Sequence, residues 1–359
     1  ALYVVGHYKN SPNDLQLLSD APAHALFVLL PPLRGQSLPE PLCVVQVALE
    51  GNISRPAILR SLARGTREAG DLVPWLITQQ FQDADFASLS GARIVRIAVH
   101  PEYMRMGYGA RALSQLEAFY GGQLLDPDAL AQKQERDAAR PALVRGELGE
   151  RSAASLPPLL ERLSEREPES LDWLGVSYGL TPELFRFWKH SGYTPLYVRQ
   201  AANELTGEYS AVQLKTLHGQ HAWLAAFASD FRRRFCTLLS FRFRELRTLT
   251  ALSVLDAAGQ AAAPDTRALT RAELSWLLTP FDMKRLESYG NHLLELQVVV
   301  DLLPALAQLY FGGRLRSLGE GDTEAGQALT VSGLSAALLL AIGLQPVSYT
   351  HLRAHETRE

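Results

Sequence analysis

RIVRIAVHPEYMRMGYGARALSQLEAFY, running from Arg93 to Tyr120, carries the deciding pattern of this chain. Its β-branched residues Ile94, Val95, Ile97 and Val99 spell a buried strand, and Pro101 ends it because proline has no amide to give to a ladder. Gly107-Tyr108-Gly109 then leads straight into a segment with Leu113, Leu116 and Phe119 at helical spacing. A strand, a glycine turn and a helix in that order make an anion site. Glycines let backbone amides approach a phosphate, and the helix start adds unpaired N–H groups and the positive end of a dipole. Two glycines before a helix also serve as a mere tight turn, so the pattern needs its surroundings.

Working outward, residues 1–125 alternate short apolar runs with helical segments. The runs are Ala1–Val5, Ala25–Leu30, Leu42–Leu49 and Arg93–Val99, a mixed α/β grammar. Residues 126–170 hold charged Ala, Pro and Glu clusters such as QKQERDAAR, read as a surface insertion or linker with one short helix around Pro158–Leu163. Regular structure resumes with a strand at Leu171–Tyr178. Thr181-Pro182 is an N-cap and first-turn proline opening the helix Glu183–His190, and Gly192 stands where a C-terminal glycine belongs. Leu196–Arg199 and Ser210–Leu217 read as two further strands.

From His218 the pattern turns all-helical. Thr270 with Glu273 spells a capping box for Arg271–Leu278, Thr279-Pro280 opens the next helix, and Leu293–Tyr310 is apolar at helical spacing. The expected domains are therefore 1–217, 218–345 and a tail at 346–359. That tail, PVSYTHLRAHETRE, is polar and without period, and reads as non-native or disordered sequence.

Composition bounds the rest. The chain has 359 residues, 47% hydrophobic and 20% charged, with a formal net charge of -3. That excludes a uniformly basic nucleic-acid coat and leaves room for a local basic patch. Cys43 and Cys236 form no disulfide framework or metal pair, and a reducing compartment is expected. Val331–Leu344 is shorter than the roughly 20 residues a bilayer helix needs, so no membrane span is expected. A chain that opens on Ala1 inside a strand reads as a fragment. His218 and His221 lack a third and fourth ligand at sensible spacing, so no metal is expected.

The strand, His-Pro, Gly-x-Gly and helix resemble the core motif of the GNAT acetyltransferase fold, usually Gln/Arg-x-x-Gly-x-Gly/Ala. Met104 departs from its first position while Gly107 and Gly109 match. TPELFRFWKHSGYTPLYVRQ resembles the second GNAT element. Beyond the superfamily, HYKNSPNDLQLLSDAPAH, RIVRIAVHPEY, LDWLGVSYGLTPELFRFWKHSGYTPLYVRQ and LTPFDMKRLESYGNHLLELQVVVDLLPALAQLYF resemble the RNA cytidine acetyltransferase family.

That resemblance implies a GNAT core, a mixed sheet flanked by helices, followed by an all-α RNA-binding domain. It implies acetyl-CoA as donor, touching Ile97, Ala98, Val99, Met104, Arg105, Met106, Gly107, Tyr108, Gly109, Ala110 and His190. At Met104, Arg105 and His190 the family more often shows Gln, Gly and Arg. Lys189 and His190 equally suit a helix C-terminus by complementing the dipole. The implied reaction acetylates the exocyclic amine of cytidine in small-subunit rRNA and tRNA. It implies an ATP-dependent helicase-like module upstream, a nucleolar location, ribosome-assembly and tRNA adaptor partners, and a homodimer. No Gly-x-x-x-x-Gly-Lys-Ser/Thr loop occurs in this sequence, so ATP binding is expected only of a longer protein of which this is the C-terminal portion.

Cytosine's amine is a poor nucleophile, so the reaction asks for orientation and a proton acceptor. His7 is the candidate base and equally suits a hydrogen bond to loop backbone; His24 and His100 are weaker candidates, and His100, directly before Pro101, also suits a strand end. Arg232, Arg233, Arg234, Arg242, Arg244 and Arg247, interleaved with phenylalanines in FRRRFCTLLSFRFRELR, are the candidate RNA contacts. The phenylalanines read better as core. The alternatives are protein acetylation on the same fold and a non-catalytic ribosome-assembly scaffold.

Overall fold

The computed structural model describes residues 23–32, 38–65, 71–138, 158, 160–204, 206–219, 222–262, 269–315 and 329–345. The expected strand Ala1–Val5, the candidate base His7 and the tail 346–359 lie outside these residues.

The chain divides into two compact units, one of residues 1–176 with 215–219 and the other of 177–214 with 220–359. This division runs through the α/β region itself, whereas composition changes only near residue 218.

In the first unit, β1 (His24–Leu29) pairs antiparallel with β2 (Cys43–Gly51). Two helices follow, α1 (Arg55–Arg64) and α2 (Leu72–Phe81), and then β3 (Ser90–Val99), antiparallel to β2. Next come α3 (Tyr108–Tyr120) and α4 (Pro127–Ala138). β4 (Trp173–Gly179) lies parallel to β3 over Gly91↔Trp173 to Ile94↔Val176. The strand order here is β1-β2-β3-β4. The α3 residues Leu113, Leu116 and Phe119 are buried, as their spacing predicted.

The charged insertion differs from expectation. Its helix is α4, where the Asp126 carboxylate accepts the amides of Asp128 at 3.0 Å and Ala129 at 3.3 Å, and Pro127 takes the first turn. The expected helix around Pro158–Leu163 is a 3-10 turn at Leu163–Glu165 instead. Charge density hid a stem: Lys133 meets Glu161 at 2.9 Å and Arg136 meets Glu165 at 3.3 Å, so the two ends of the insertion hold each other.

In the second unit, α5 (Pro182–His190) starts where the cap predicted, with Thr181 Oγ1 accepting the Leu184 amide at 3.3 Å and Gly192 at φ 83° closing its end. β5 (Thr194–Val198) and β6 (Ser210–Thr216) form an antiparallel pair. Helices follow: α6 (Ala222–Leu239), α7 (Thr248–Ala261), α8 (Arg271–Leu277), α9 (Pro280–Gly290), α10 (Leu303–Phe311) and α11 (Gly333–Gly343). Both expected caps are present, Thr270 with Glu273 and Thr279 with Asp282.

The continuous helix expected over Leu293–Tyr310 is broken. Two 3-10 turns, Leu296–Val298 and Val300–Leu302, precede α10. Pro304 is the cause: it lacks the amide that would continue a ladder from upstream and fits only a first turn. No described helix is long and apolar enough to cross a membrane.

Candidate functional site

The register of the sheet decides what β3 offers. Leu49 donates to Ala23 and His100 donates to Leu42, which fixes the alternation along β2 and β3. Val44↔Ala98 and Gln46↔Arg96 are then the pairs that exchange hydrogen bonds, and the amides of Ile97 and Val99 point to the edge opposite β2. On that edge the ladder to β4 ends at Ile94↔Val176. The end of β3, Val95 to Val99, thus extends past the ladder, and the main-chain groups of Ile97 and Val99 turn outward.

Directly after them, Pro101–Tyr103 forms a 3-10 turn started by His100, whose Nδ1 accepts the Glu102 amide at 3.3 Å. Arg105 has φ 63° and Gly107 has φ 89°, both left-handed. Gly107 is the N-cap of α3, with no side chain capping it and no acidic residue in the first turn. The amides of Gly107, Tyr108, Gly109 and Ala110 are the four that a helix start leaves without intrahelical partners. A Cβ placed on Gly107 would meet no atom within 4 Å, so open space faces this turn. Met104 and Met106 flank it, exposed at 61% and 65%. Four unpaired amides, a dipole end and open space fit a diphosphate, and Met104 adds no charge to it.

The histidines separate clearly. His24 shares its level of the sheet with Ala48 and Arg93, whereas Leu29, Cys43 and Val99 share the other end. Five residues of β1 separate the two levels, about 17 Å of strand. Its Nδ1 lies 2.9 Å from Gln46 Nε2, and burial first, then the Arg93 charge, holds it below the usual imidazole range. His24 is thus a strand-packing histidine remote from the turn. His100 adjoins the turn, with Nε2 3.7 Å from Glu40. In the second unit, His190 is exposed at the end of α5 with Nδ1 2.8 Å from the Arg186 carbonyl.

The arginine-rich stretch spans α6 and the turn before α7. Phe231, Phe235 and Phe243 are buried, in keeping with a core role, while Phe241 is exposed at 57%. Arg233, Arg242, Arg244 and Arg247 are exposed, and Arg234 is half-buried. Asp230 pairs with Arg233 at 2.7 Å and lies 3.7 Å from Arg234. Arg232 turns inward. A Cβ on Gly259 would fall 3.3 Å from its Cζ and one on Gly313 3.2 Å from a terminal nitrogen. Burial lowers its affinity for a proton, and its Nε has no acceptor. Among the described residues, no group of three His, Cys, Asp or Glu side chains is placed to hold a metal.

A family model described as GNAT acetyltransferase 2 matches residues 1–218, and one described as a possible tRNA-binding domain matches 223–355. A protein named RNA cytidine acetyltransferase in Achlya ambisexualis is 49% identical over 68% of this chain and 69% of its own length. This chain belongs to the RNA cytidine acetyltransferase family. Relatives of that name in Schizosaccharomyces pombe, 50% identical over 96% of the chain, and Homo sapiens, 49% identical over 98%, agree. The chain spans about a third of their length, 34% in each case. In this member of the RNA cytidine acetyltransferase family, the first matched segment carries the turn at Gly107 and the second the arginines of α6 and of the turn before α7.

Proposed function

We propose that this chain carries the acetyl-transfer and RNA-binding parts of an enzyme that moves an acetyl group from acetyl-CoA to the exocyclic amine of cytidine in small-subunit rRNA and tRNA. The observation that carries the reading is the run of unpaired amides from Gly107 to Ala110, directly downstream of a β3 edge that has run past its ladder. Acetyl-CoA, when bound, supplies an acetyl group already activated as a thioester. The chain's own part is to hold and orient. The amides of the α3 turn hold phosphate, and the outward main-chain groups of Ile97 and Val99 offer strand-like pairing to an amide-containing arm. An amide of β3 can donate to a carbonyl oxygen where negative charge grows. His7 is the proposed acceptor of the amine proton, a neutral imidazole suited to that task near neutral pH. Arg105 is proposed as a further donor contact.

Arg233, Arg234, Arg242, Arg244 and Arg247 are proposed to meet RNA phosphates, as the match to a possible tRNA-binding domain supports. In the full-length protein we place ATP binding and coupling to an upstream module, ribosome-assembly and tRNA adaptor partners, a homodimer and work in the nucleolus during rRNA and tRNA processing.

Calorimetric titration of the chain with acetyl-CoA, beside Gly109→Glu, tests the reading. Gly109 is buried in the first turn of α3, so glutamate there blocks the turn by bulk and repels phosphate. A parent that binds and a variant that does not support it, and acetylated cytidine in digested RNA is then the product to measure. A folded parent that binds no acetyl-CoA overturns it.

A further inference from the structure

Phe241 differs from the other aromatics of the arginine-rich stretch. Phe231, Phe235 and Phe243 are buried, whereas Phe241 is 57% exposed. The turn that carries it is well held. The amides of Phe241 and Phe243 both donate to the Leu238 carbonyl, at 3.2 and 3.0 Å, which folds the chain tightly around Arg242. Phe243 anchors the turn in the core, its ring 5.4 Å from that of Tyr209 and 5.1 Å from that of Phe235. The buried Gln345 ties the far side. Its Nε2 donates to the carbonyls of Phe243 at 2.9 Å and Leu246 at 2.7 Å, and its Oε1 accepts the Thr248 hydroxyl at 3.1 Å. A fixed backbone thus holds Phe241 outside the core.

A lone exposed phenylalanine is ordinary. The charges around this one are not. Arg242, Arg244 and Arg247 are exposed, and their side chains make no ion pair or hydrogen bond among the described residues. Arg233 on α6, by contrast, has Asp230 at 2.7 Å. Glu245 is the single carboxylate between Ser240 and Arg247. A bare ring among free cations suits a polyanion whose units also carry flat apolar faces, which is the chemistry of a nucleic acid.

We propose that Phe241 is a stacking platform for an unpaired base of the bound RNA, with Arg242 and Arg244 on the phosphates beside that nucleotide; this rests on the RNA-binding reading above. In an A-form duplex each base face is covered by its neighbours, so the platform selects a loop, a bulge or a single-stranded end. The arginines supply attraction to any strand, and the ring supplies the preference for unpaired nucleotides.

Filter binding on the full chain tests this with two RNAs, an unstructured single strand and a blunt duplex. The proteins are the parent, Phe241→Ala, Phe241→Leu and Phe241→Trp, with melting temperatures measured on each. Phe241→Ala is expected to weaken the single strand about tenfold, the size of one base stack, and to leave both the duplex and the salt dependence as in the parent. Phe241→Leu keeps apolar bulk without a π face and should lose nearly as much, while Phe241→Trp should bind at least as well as the parent. Unchanged single-strand affinity in Phe241→Ala, or an equal loss on the duplex, overturns the proposal and leaves RNA binding standing. Full affinity in Phe241→Leu also overturns it, because the contact is then apolar and not a stack. A parent that binds neither RNA overturns the RNA-binding reading together with the proposal.

Discussion

Arg93 Nε donates to Glu50 Oε1 at 2.6 Å, and the Glu50 side chain is wholly enclosed. The second Glu50 oxygen accepts the Val73 amide at 2.9 Å, so this pair joins β2, β3 and the start of α2. Removing one partner leaves the other as an uncompensated buried charge. Arg93→Ala should therefore lower unfolding free energy by about 3 kcal/mol, the low end for a broken buried pair because Arg93 keeps some solvent. Urea denaturation of parent and variant measures it. A change below about 0.5 kcal/mol, the range of an ordinary surface substitution, would show the pair to be energetically idle.

The same carboxyl gives a pH signature. Burial lifts Glu50 above its ordinary value of 4.5 and outweighs the pull of Arg93. A raised folded pKa means the native state holds the proton longer than the unfolded chain does. The stabilisation is full below 4.5 and is lost as pH rises through the folded value. Glu50→Gln cannot titrate, so its melting temperature should fall less than the parent's as pH rises across that window. Parallel melting curves would mean that Glu50 titrates as it does in the unfolded chain.

Arg232 and its neighbours should separate packing from RNA contact. Arg232 is wedged against Gly259 and Gly313, and its thiol neighbour Cys236 is itself pushed up to about 12 by burial. Arg232→Ala should lower stability by about 2 kcal/mol through lost packing of its long stem. Arg242→Ala and Arg244→Ala, both exposed, should stay within about 0.5 kcal/mol in stability. They should instead weaken RNA binding and flatten its dependence on salt by about one unit of slope each. Filter binding over a salt series distinguishes the two behaviours, and an Arg242→Ala variant with an unaltered slope would remove that residue from the RNA surface.

The legible features were local ones. Thr181, Thr270 and Thr279 each announce a helix start through a hydroxyl and a spacing, and all three cap where expected. The turn at Gly107 was legible for the same reason, since a positive φ beside a helix start demands glycine. Arg105 ran against that rule: it takes φ 63° without being glycine, and nothing in its neighbours signals that. Long-range placement was illegible. His24 and His100 look alike in sequence, and only the register of three strands sets them at opposite ends of the sheet. Arg232 matches Arg233 in composition and differs only in which side of α6 it occupies. The stem at Lys133 and Glu161 was masked because charged residues that pair across a gap resemble solvated linker until the pairing is seen.

Gly107 and Gly65 form a matched pair for the last prediction. Both have left-handed backbones, φ 89° and 63°, and a Cβ on either would meet nothing within 4 Å. Alanine at either position therefore meets a conformational penalty without a clash, about 1–2 kcal/mol for an L-residue held in that region. Gly65 closes the C-terminus of α1, away from any unpaired helix start, so Gly65→Ala should cost stability alone. Gly107→Ala should cost as much and also weaken acetyl-CoA, because relaxing its φ rotates the amides of Tyr108 and Gly109. Melting curves and calorimetry on the two variants provide both readouts. Equal stability losses with a donor-affinity loss confined to Gly107→Ala would place the phosphate-holding function in the geometry of this turn. Equal donor affinity in the two variants would mean that the turn is only a turn.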